Sequence, residues 1–383
     1  MSVTAAEGFR AAGVSAGLKN SGGLDLAVVA NDGPSSTAAA VFTSNRAKAN
    51  PVIWSQEAIK SGVAKAVVLN SGGANCYTGA EGFELTKKTA ELAAGALGIA
   101  PGEVQVCSTG LIGMLNNADD LLGGVEKAIG QLSEAGAQDA ALAIMTTDSV
   151  PKQAQTTVAG FTIGGMAKGA GMLAPALATM LVVITTDADL SADELDQALK
   201  EAVRTTFNRI DSDGCQSTND TVLLMASGAA GVKPELATFT EALREVCGSL
   251  ARQLIADAEG ADHDVAIQVK NAASEEDAVE AARSVARSNL FKAAIFGKDA
   301  NWGRILASVG TSSAQFDPTN LDVAINGVWV CKNSAPGEPR ELVDLNAREV
   351  QIEIDLKSGK QQATIWTNDL THAYVHENSA YSS

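Results

Sequence analysis

The residues whose types and spacing point most directly to chemistry lie in a glycine-rich segment that leads to a threonine. Residues 165–181 read GMAKGAGMLAPALATML, and the threonine is Thr179. A threonine hydroxyl is a weak nucleophile until a base removes its proton. Gly169 and Gly171 favour a bend, because glycine adopts positive φ angles that other residues avoid. The small side chain of Ala178 lets the Thr179 hydroxyl approach the preceding carbonyl, so self-cleavage of the bond between them is chemically feasible.

The shortage of histidine indicates which base could serve Thr179. The chain contains three histidines, and two of them, His372 and His376, stand close to the end of the sequence. His263 lies between two aspartates and could ligate a metal, but it also begins a predicted strand, and we predict no metal site. A free α-amino group has a pKa of about 7.7–8.0. Cleavage between Ala178 and Thr179 would therefore create a base beside the nucleophile.

Composition removes several classes of protein from consideration. The 383 residues are 46% apolar and 19% charged, which is typical of a globular protein. The 28 basic and 45 acidic residues give a net charge of −17, which repels nucleic acid and anionic lipid. No apolar run reaches the roughly 18 residues of a membrane span, and no secretion signal is visible. Five widely spaced cysteines without a C-x-x-C pair indicate reduced thiols. We expect a cytoplasmic protein with neither nucleic-acid nor membrane partners.

The elements that must position this chemistry alternate between strands and helices. Short apolar runs predict strands over 26–30, 66–69, 180–185, 221–226, 265–269 and 323–330. Apolar residues at spacings of three and four predict helices over 81–97, 118–129, 191–206, 235–259 and 274–294. Ser191 with Glu194, and Ser274 with Asp277, are typical of helix starts. The pattern predicts a mixed α/β fold with two sheets covered by helices.

The segment 168–181 is similar to the processing site of the ornithine acetyltransferase family, the glutamate N-acetyltransferases of arginine biosynthesis. Other blocks resemble this family in the same order, and the resemblance covers most of the chain. These blocks are residues 70–79, 107–113, 145–148, 207–210, 213–221 and 297–304. The sequence departs from the family pattern at Gly73, where asparagine is common, and at Cys215 and Gln216, where an acidic residue and a threonine are expected. Neither departure touches Thr179.

The resemblance implies a ping-pong acetyl transfer on a self-processing N-terminal-nucleophile type of fold with α-β-β-α layers. Thr179 would take the acetyl group from N2-acetyl-L-ornithine, and L-glutamate would then take it from Thr179. Self-cleavage would leave an α chain, 1–178, and a β chain, 179–383, which stay associated and pair again as a heterotetramer of two α and two β chains. The reaction requires no cofactor. Whether acetyl-CoA is a second donor, which would make the enzyme bifunctional, stays open.

The resemblance also implies a role for individual residues. Thr109 and Gly110 match the family's oxyanion-hole pair, a hydroxyl and a backbone amide. Lys168 could hold a substrate carboxylate or assist the oxyanion, and Glu259 could pair with the ornithine side-chain ammonium. The family's substrate contacts correspond here to Thr146, Thr147, Lys168, Thr179, Glu259, Asn378 and Ser383.

Three questions stay open at this point. The resemblance does not decide which hydroxyl of the pair Thr146-Thr147 contacts substrate. A self-processed amidase or aminopeptidase would use the same nucleophile, and only the acceptor, water or glutamate, distinguishes it from a transferase. A chain that kept the fold as a binding protein would remain uncleaved at Thr179.

Overall fold

The computed structural model describes residues 2–20, 22–173 and 180–380. Within these ranges the chain forms fifteen strands and ten α-helices. The strands are β1 (Phe9–Val14), β2 (Leu26–Asn31), β3 (Ala38–Phe42), β4 (Ala66–Asn70), β5 (Val104–Ser108), β6 (Lys152–Val158), β7 (Phe161–Lys168), β8 (Leu181–Thr186), β9 (Thr221–Ala226), β10 (Asp264–Ala272), β11 (Asp322–Ile325), β12 (Val328–Lys332), β13 (Ala335–Pro336), β14 (Glu349–Asp355) and β15 (Gln361–Asn368). The helices are α1 (Asn50–Ala58), α2 (Gly79–Leu97), α3 (Ala118–Ile129), α4 (Ala137–Ala143), α5 (Ala192–Thr205), α6 (Leu236–Ala256), α7 (Glu275–Ala286), α8 (Asn289–Phe296), α9 (Trp302–Val309) and α10 (His372–Ala380).

The first sheet has the strand order β1-β2-β4-β5, and only β4 and β5 are parallel. Successive side chains of a strand point to opposite faces. On β2, Leu26 and Val28 therefore pack into the apolar core with residues of α2 and α3. Ala27 and Val29 face the other way, into a core shared with the second sheet.

The second sheet has the order β3-β9-β8-β7-β6, in which β8 and β9 are parallel. Leu181 and Val183 of β8 enter the core shared with the first sheet. Val182 and Ile184 enter the core with residues of α5 and α6. The two sheets and their helices thus form the α-β-β-α layers that the resemblance implies, and the mixed α/β class is confirmed.

A third sheet, in the order β13-β12-β11-β14-β10-β15, packs against α7, α8 and α9 around its own apolar core. The predicted number of two sheets is therefore corrected to three. The predicted strand 323–330 is the hairpin of β11 and β12, because Asn326 and Gly327 both have positive φ angles, 46° and 82°, and form a tight turn. The predicted helix 274–294 is two helices, because Ser288 caps a new helix, α8, by accepting the Phe291 N–H.

Two further expectations have outcomes in the structure. Ser191 and Glu194 form the predicted reciprocal cap of α5. The five cysteines are free thiols, and Cys215 is the exposed one. Over the described part of the chain, no helix is both long and apolar enough to cross a membrane.

Candidate active site

The carboxyl ends of the parallel strands β4 and β5 bring two of the sequence blocks together. The Ser108 hydroxyl donates to the Asn70 side-chain oxygen at 2.6 Å, and the Thr109 N–H donates to the Asn70 carbonyl at 2.9 Å. Gly110 has a φ of 127°, and a Cβ there would lie 2.4 Å from the Gly72 carbonyl oxygen. Only glycine permits this approach. The two loops therefore fix Thr109 and Gly110 beside each other at the edge of the sheet.

Lys168, the last residue of β7, connects Thr109 to Thr146. Its side chain is 1% exposed, and its Nζ donates to Thr146 Oγ1 at 2.7 Å and to Thr109 Oγ1 at 3.3 Å. Burial lowers the pKa of Lys168, and the nearby Asp148 carboxylate opposes that shift. The site therefore holds a buried ammonium group that is hydrogen-bonded to two threonine hydroxyls.

Asp148 holds this arrangement together. One carboxylate oxygen accepts the Gly169 N–H at 2.6 Å and Lys152 Nζ at 2.7 Å. The other accepts the Thr146 N–H at 3.0 Å and lies 3.9 Å from Lys168 Nζ. Burial by itself would raise the pKa of Asp148, but the two lysines and the hydrogen bonds outweigh burial and lower it to about 2. Asp148 is thus an ionised anchor, a role that the sequence analysis did not assign to it.

Glu259 follows α6 and packs directly on the glycine-rich bend. Its N–H donates to the Ala170 carbonyl at 3.0 Å, and a Cβ on Gly171 would lie 2.7 Å from its carboxylate. The expectation that Gly171 supplies a positive φ is wrong, because the structure uses this glycine for close approach instead. Asn378 of α10 donates its side-chain N–H to Glu259 Oε2 at 2.9 Å.

These groups converge on one cavity of about 280 Å³. Its described lining consists of Thr109, Gly110, Thr146, Thr147, Lys168, Gly171, Met172, Asp213, Cys215, Glu259, Tyr374 and Asn378. Seven of the predicted site residues are among them. Lys168 is the one cation of this described lining, which also contains the carboxyl groups of Asp213 and Glu259. Three predicted residues, Ala178, Thr179 and Ser383, lie outside the described residues.

Besides Gly171, four lining residues have no site role predicted from the sequence: Met172, Asp213, Cys215 and Tyr374. Burial raises the pKa of Asp213, against the effect of hydrogen bonds from the backbone of Cys215 and of the bend at 172–173. Burial, together with Asp213 and Glu259, raises the pKa of Tyr374 to about 12, so its hydroxyl is neutral at physiological pH. The Asp-Gly pair at 213 is a turn signal, whereas nothing around Tyr374 in the sequence marks it.

The chain leaves the second sheet at Lys168 and re-enters it at Leu181, directly opposite the residue at which it left. Lys168 and Leu181 are directly opposed partners in the antiparallel pair β7–β8, and Leu181 is also paired with Thr221 of β9. The Met180 N–H donates to Asp220 Oδ1 at 3.0 Å. Met180, whose nitrogen is bonded to Thr179, is therefore held at the end of β7 that carries Lys168.

His263, the histidine that could have ligated a metal, has a different role. Its Nδ1 lies 2.7 Å from the Asp369 carboxylate and its Nε2 lies 3.2 Å from the Leu345 carbonyl. Among the residues that the structure describes, no group of three His, Cys, Asp or Glu side chains could hold a metal ion. The polar contacts of His263 join β10 to the segments around it.

Fold and cavity together define a layered α/β protein with a small polar site for a charged ligand. The sequence profile of the ArgJ family matches residues 10–383, and the chain belongs to this family. The similarity to the ornithine acetyltransferases that the sequence indicates is thereby confirmed.

Individual relatives agree with this membership. The chain is 63% identical to the arginine biosynthesis bifunctional protein ArgJ of Streptomyces coelicolor, over 100% of both chains. The crystal structure of arginine biosynthesis bifunctional protein ArgJ from Bacillus halodurans is 38% identical, with a TM-score of 0.50, over 51% of this chain and 97% of that one. The crystal structure of ornithine acetyltransferase complexed with ornithine, from Mycobacterium tuberculosis, is 51% identical, with a TM-score of 0.45, over 47% of this chain and 96% of that one.

Proposed function

We propose that this ArgJ-family enzyme transfers an acetyl group from N2-acetyl-L-ornithine to L-glutamate through an acetyl-Thr179 intermediate. The observation that carries the proposal is the convergence of seven predicted residues, from five separate stretches of sequence, on one cavity. That cavity lies where the connection to Thr179 leaves and rejoins the second sheet. The name shared by its relatives supports a role in arginine biosynthesis.

The proposed reaction requires self-cleavage between Ala178 and Thr179, which gives an α chain of residues 1–178 and a β chain of residues 179–383. The Bacillus halodurans chain supports this division, because 97% of it matches only 51% of the present chain. A solved chain of about half the length is what cleavage of a relative would leave.

The second sheet explains why the two chains would stay together. Its order, β3-β9-β8-β7-β6, interleaves strands from both sides of the cleavage point. The pairs β3–β9 and β7–β8 would each join one chain to the other through backbone hydrogen bonds. The cores on both faces of this sheet also contain residues of both chains. Separation would therefore require unfolding. The further pairing into a heterotetramer stays a prediction, as does the cytoplasmic location.

Acetyl transfer begins when Thr179 Oγ attacks the acetyl carbonyl carbon. The Thr179 α-amine takes the hydroxyl proton and delivers it to the departing α-nitrogen of ornithine, which leaves an acetyl ester on Thr179. The α-amine of glutamate then attacks this ester, and the Thr179 α-amine carries the proton that the glutamate nitrogen loses to Thr179 Oγ. The products are ornithine and N-acetylglutamate.

Each tetrahedral intermediate carries an oxyanion, for which Thr109 and Gly110 would supply the donors. Lys168 Nζ donates to Thr109 Oγ1, so the Thr109 hydroxyl uses its oxygen as acceptor and keeps its own proton for the cavity. A hydroxyl that accepts a bond from a cation is a stronger donor. Donors that are fixed before the reaction stabilise the developing charge without reorganisation.

Substrate recognition would fall to the charged groups of the cavity lining. Ornithine and glutamate both carry an ammonium and a carboxylate. Glu259, oriented by Asn378, would bind the side-chain ammonium group of acetylornithine, and Lys168 would attract a substrate carboxylate. Ser383 would complete the site from the C-terminal segment. The name "bifunctional" of the relatives supports acetyl-CoA as a second acetyl donor.

A denaturing intact-mass measurement tests the proposal. Cleavage before Thr179 would divide the 39.1 kDa chain into fragments of roughly 18 and 21 kDa, with the nucleophile at the new N-terminus. Thr179→Ala is expected to give one uncut species without activity. A single full-length species that still transfers acetyl groups would contradict the amine-as-base mechanism. Turnover of acetylornithine with water, without acceleration by glutamate, would favour the amidase.

A further inference from the structure

Asp220 is a buried carboxyl group hydrogen-bonded to Met180, the residue after the proposed nucleophile, and the acetyl-transfer steps do not use it. The residue is 0% exposed, and its Oδ1 accepts the N–H of Met180 at 3.0 Å. Its Oδ2 is also buried and receives no hydrogen bond of normal geometry from the described residues. Thr179 itself lies outside these residues, but its carbonyl carbon is bonded to the Met180 nitrogen. The carboxyl group is therefore anchored within one peptide unit of Thr179.

Self-cleavage needs a base that the transfer reaction does not need. Before the chain is cut, the nitrogen of Thr179 is part of an amide and cannot accept a proton. The histidines do not meet the need, because His263 is paired with Asp369, and His372 and His376 lie on α10 with exposed side chains. The uncut chain must therefore take the hydroxyl proton of Thr179 with another group.

We propose that Asp220 is the proton-transfer residue of self-cleavage, which it carries out through Oδ2. This inference rests on the proposed function, because it assumes that the bond before Thr179 is cut. The carboxylate takes the Thr179 hydroxyl proton while Oγ forms a bond to the carbonyl carbon of Ala178. The bond from this carbon to the Thr179 nitrogen then breaks, and the nitrogen receives the proton from Asp220. The products are an ester and a free α-amine, and one water molecule hydrolyses the ester.

The surroundings of Asp220 support this use. Burial raises the pKa of its carboxyl group well above the usual range, against the effects of the Met180 hydrogen bond and of the nearby Ser217 and Thr43 hydroxyls. A higher pKa makes the ionised form a stronger proton acceptor. The Lys168 ammonium acts in the opposite direction and favours the ionised form. Once the chain is cut, the new α-amine takes over as base, so the two reactions of one threonine would use different bases.

The test follows the conversion of the full-length chain, made by cell-free synthesis, into two fragments by denaturing mass spectrometry. Asp220→Asn keeps an oxygen for the Met180 N–H but cannot transfer the proton. We expect its cleavage to be about 100-fold slower or more, the usual contribution of a general acid–base group. The matched control is Asp322→Asn, because Asp322 is also buried and accepts a backbone N–H, from Asn333, but lies in the third sheet. It should be cleaved at the wild-type rate.

The variant Asp220→Ala separates proton transfer from positioning, because it also loses the acceptor for Met180. If Asp220 only positions the backbone, Asp220→Asn will be cleaved like the wild type and Asp220→Ala will not, and the inference is then wrong. A wild-type chain that stays uncut would instead refute the proposed function. Circular dichroism checks folding. If Asp220→Asn does not fold, the wild-type cleavage rate decides. This rate should fall as the pH is lowered, because protonation of the carboxylate removes the proton acceptor, and a rate that does not change with pH would overturn the inference.

Discussion

Replacement of Thr109 by valine tests the oxyanion role directly, because valine keeps the shape of the side chain and removes its hydroxyl. Thr109 is 1% exposed, and the packing around it should not change because valine has the same shape as threonine. Lys168 loses an acceptor at 3.3 Å but keeps Thr146 Oγ1 at 2.7 Å. We therefore expect a stability loss of about 1 kcal/mol, typical of one hydrogen bond. The lost oxyanion donor should lower kcat by about 100- to 1000-fold, which corresponds to about 2.7–4 kcal/mol.

The assay measures acetyl transfer from acetylornithine to glutamate, with the rate expressed per cleaved chain. KM should change little, because the oxyanion exists only in the transition state and the intermediate. Thr109→Ser keeps the hydroxyl and should retain most of the activity. Thr89→Val is the matched control, since Thr89 is also 1% exposed and its hydroxyl donates to the Leu85 carbonyl within α2, outside the cavity lining. A cleaved Thr109→Val enzyme with a kcat within about threefold of wild type would refute the assignment.

Three other predictions concern the cavity wall, the C-terminal segment and a buried lysine. Gly171→Ala should displace the Glu259 carboxylate and raise KM for acetylornithine about tenfold, which corresponds to about 1.4 kcal/mol. The control Gly95→Ala lies on an exposed helix face with open space and should leave KM unchanged. Equal KM values for the two variants would contradict this prediction. Deletion of residues 378–383 should raise that KM or abolish turnover without lowering the melting temperature, because Asn378 is exposed and, among the described residues, its side chain bonds only Glu259 and the Tyr374 carbonyl of its own helix. A fully active truncation would remove the segment from the site. Burial lowers the pKa of Lys292 to about 8 from 10.5, so the unfolded chain binds more protons than the folded chain between these pH values. The free energy of unfolding of the wild type, relative to that of Lys292→Met, should therefore rise by up to about 3 kcal/mol as the pH increases through this range. Parallel curves of unfolding free energy against pH would show that the shift is absent.

Local sequence signals placed most of the secondary structure, and they failed where a break was short. The predicted helix over 118–129 coincides with α3, because its apolar stripe and the Asn117 cap agree on the same boundaries. The hairpin of β11 and β12 was read as one strand, although its Asn-Gly pair is a strong turn signal. The third sheet was not predicted, because the sequence pattern gave bounds for no strand after residue 330, where β13, β14 and β15 lie.

The candidate site was predictable where a motif carried it and unpredictable where only three-dimensional proximity did. Thr109 and Lys168 stand in recognisable blocks, and both line the cavity. Asp148 lies in such a block too, but its role depends on Lys152, which is in turn bound to Asp257, more than one hundred residues away in the sequence. The partners of Asp148 itself lie within 21 residues but follow no spacing motif, and its pKa depends on burial that the sequence alone does not specify.

The position of the proposed cleavage point explains how a chain could be cut in its centre and keep its fold. Lys168 and Leu181 are opposite partners at the adjoining ends of β7 and β8, so the bond lies in the connection between two strands and not within either of them. Cleavage there would remove no hydrogen bond of the sheet, since each strand keeps its pairing on both sides. It would free the nitrogen of Thr179 at the end of a strand that β7 and β9 hold in place. The new base and the existing nucleophile would stand one residue before Met180, which its hydrogen bond to Asp220 holds. Preorganised catalysis requires such fixed surroundings.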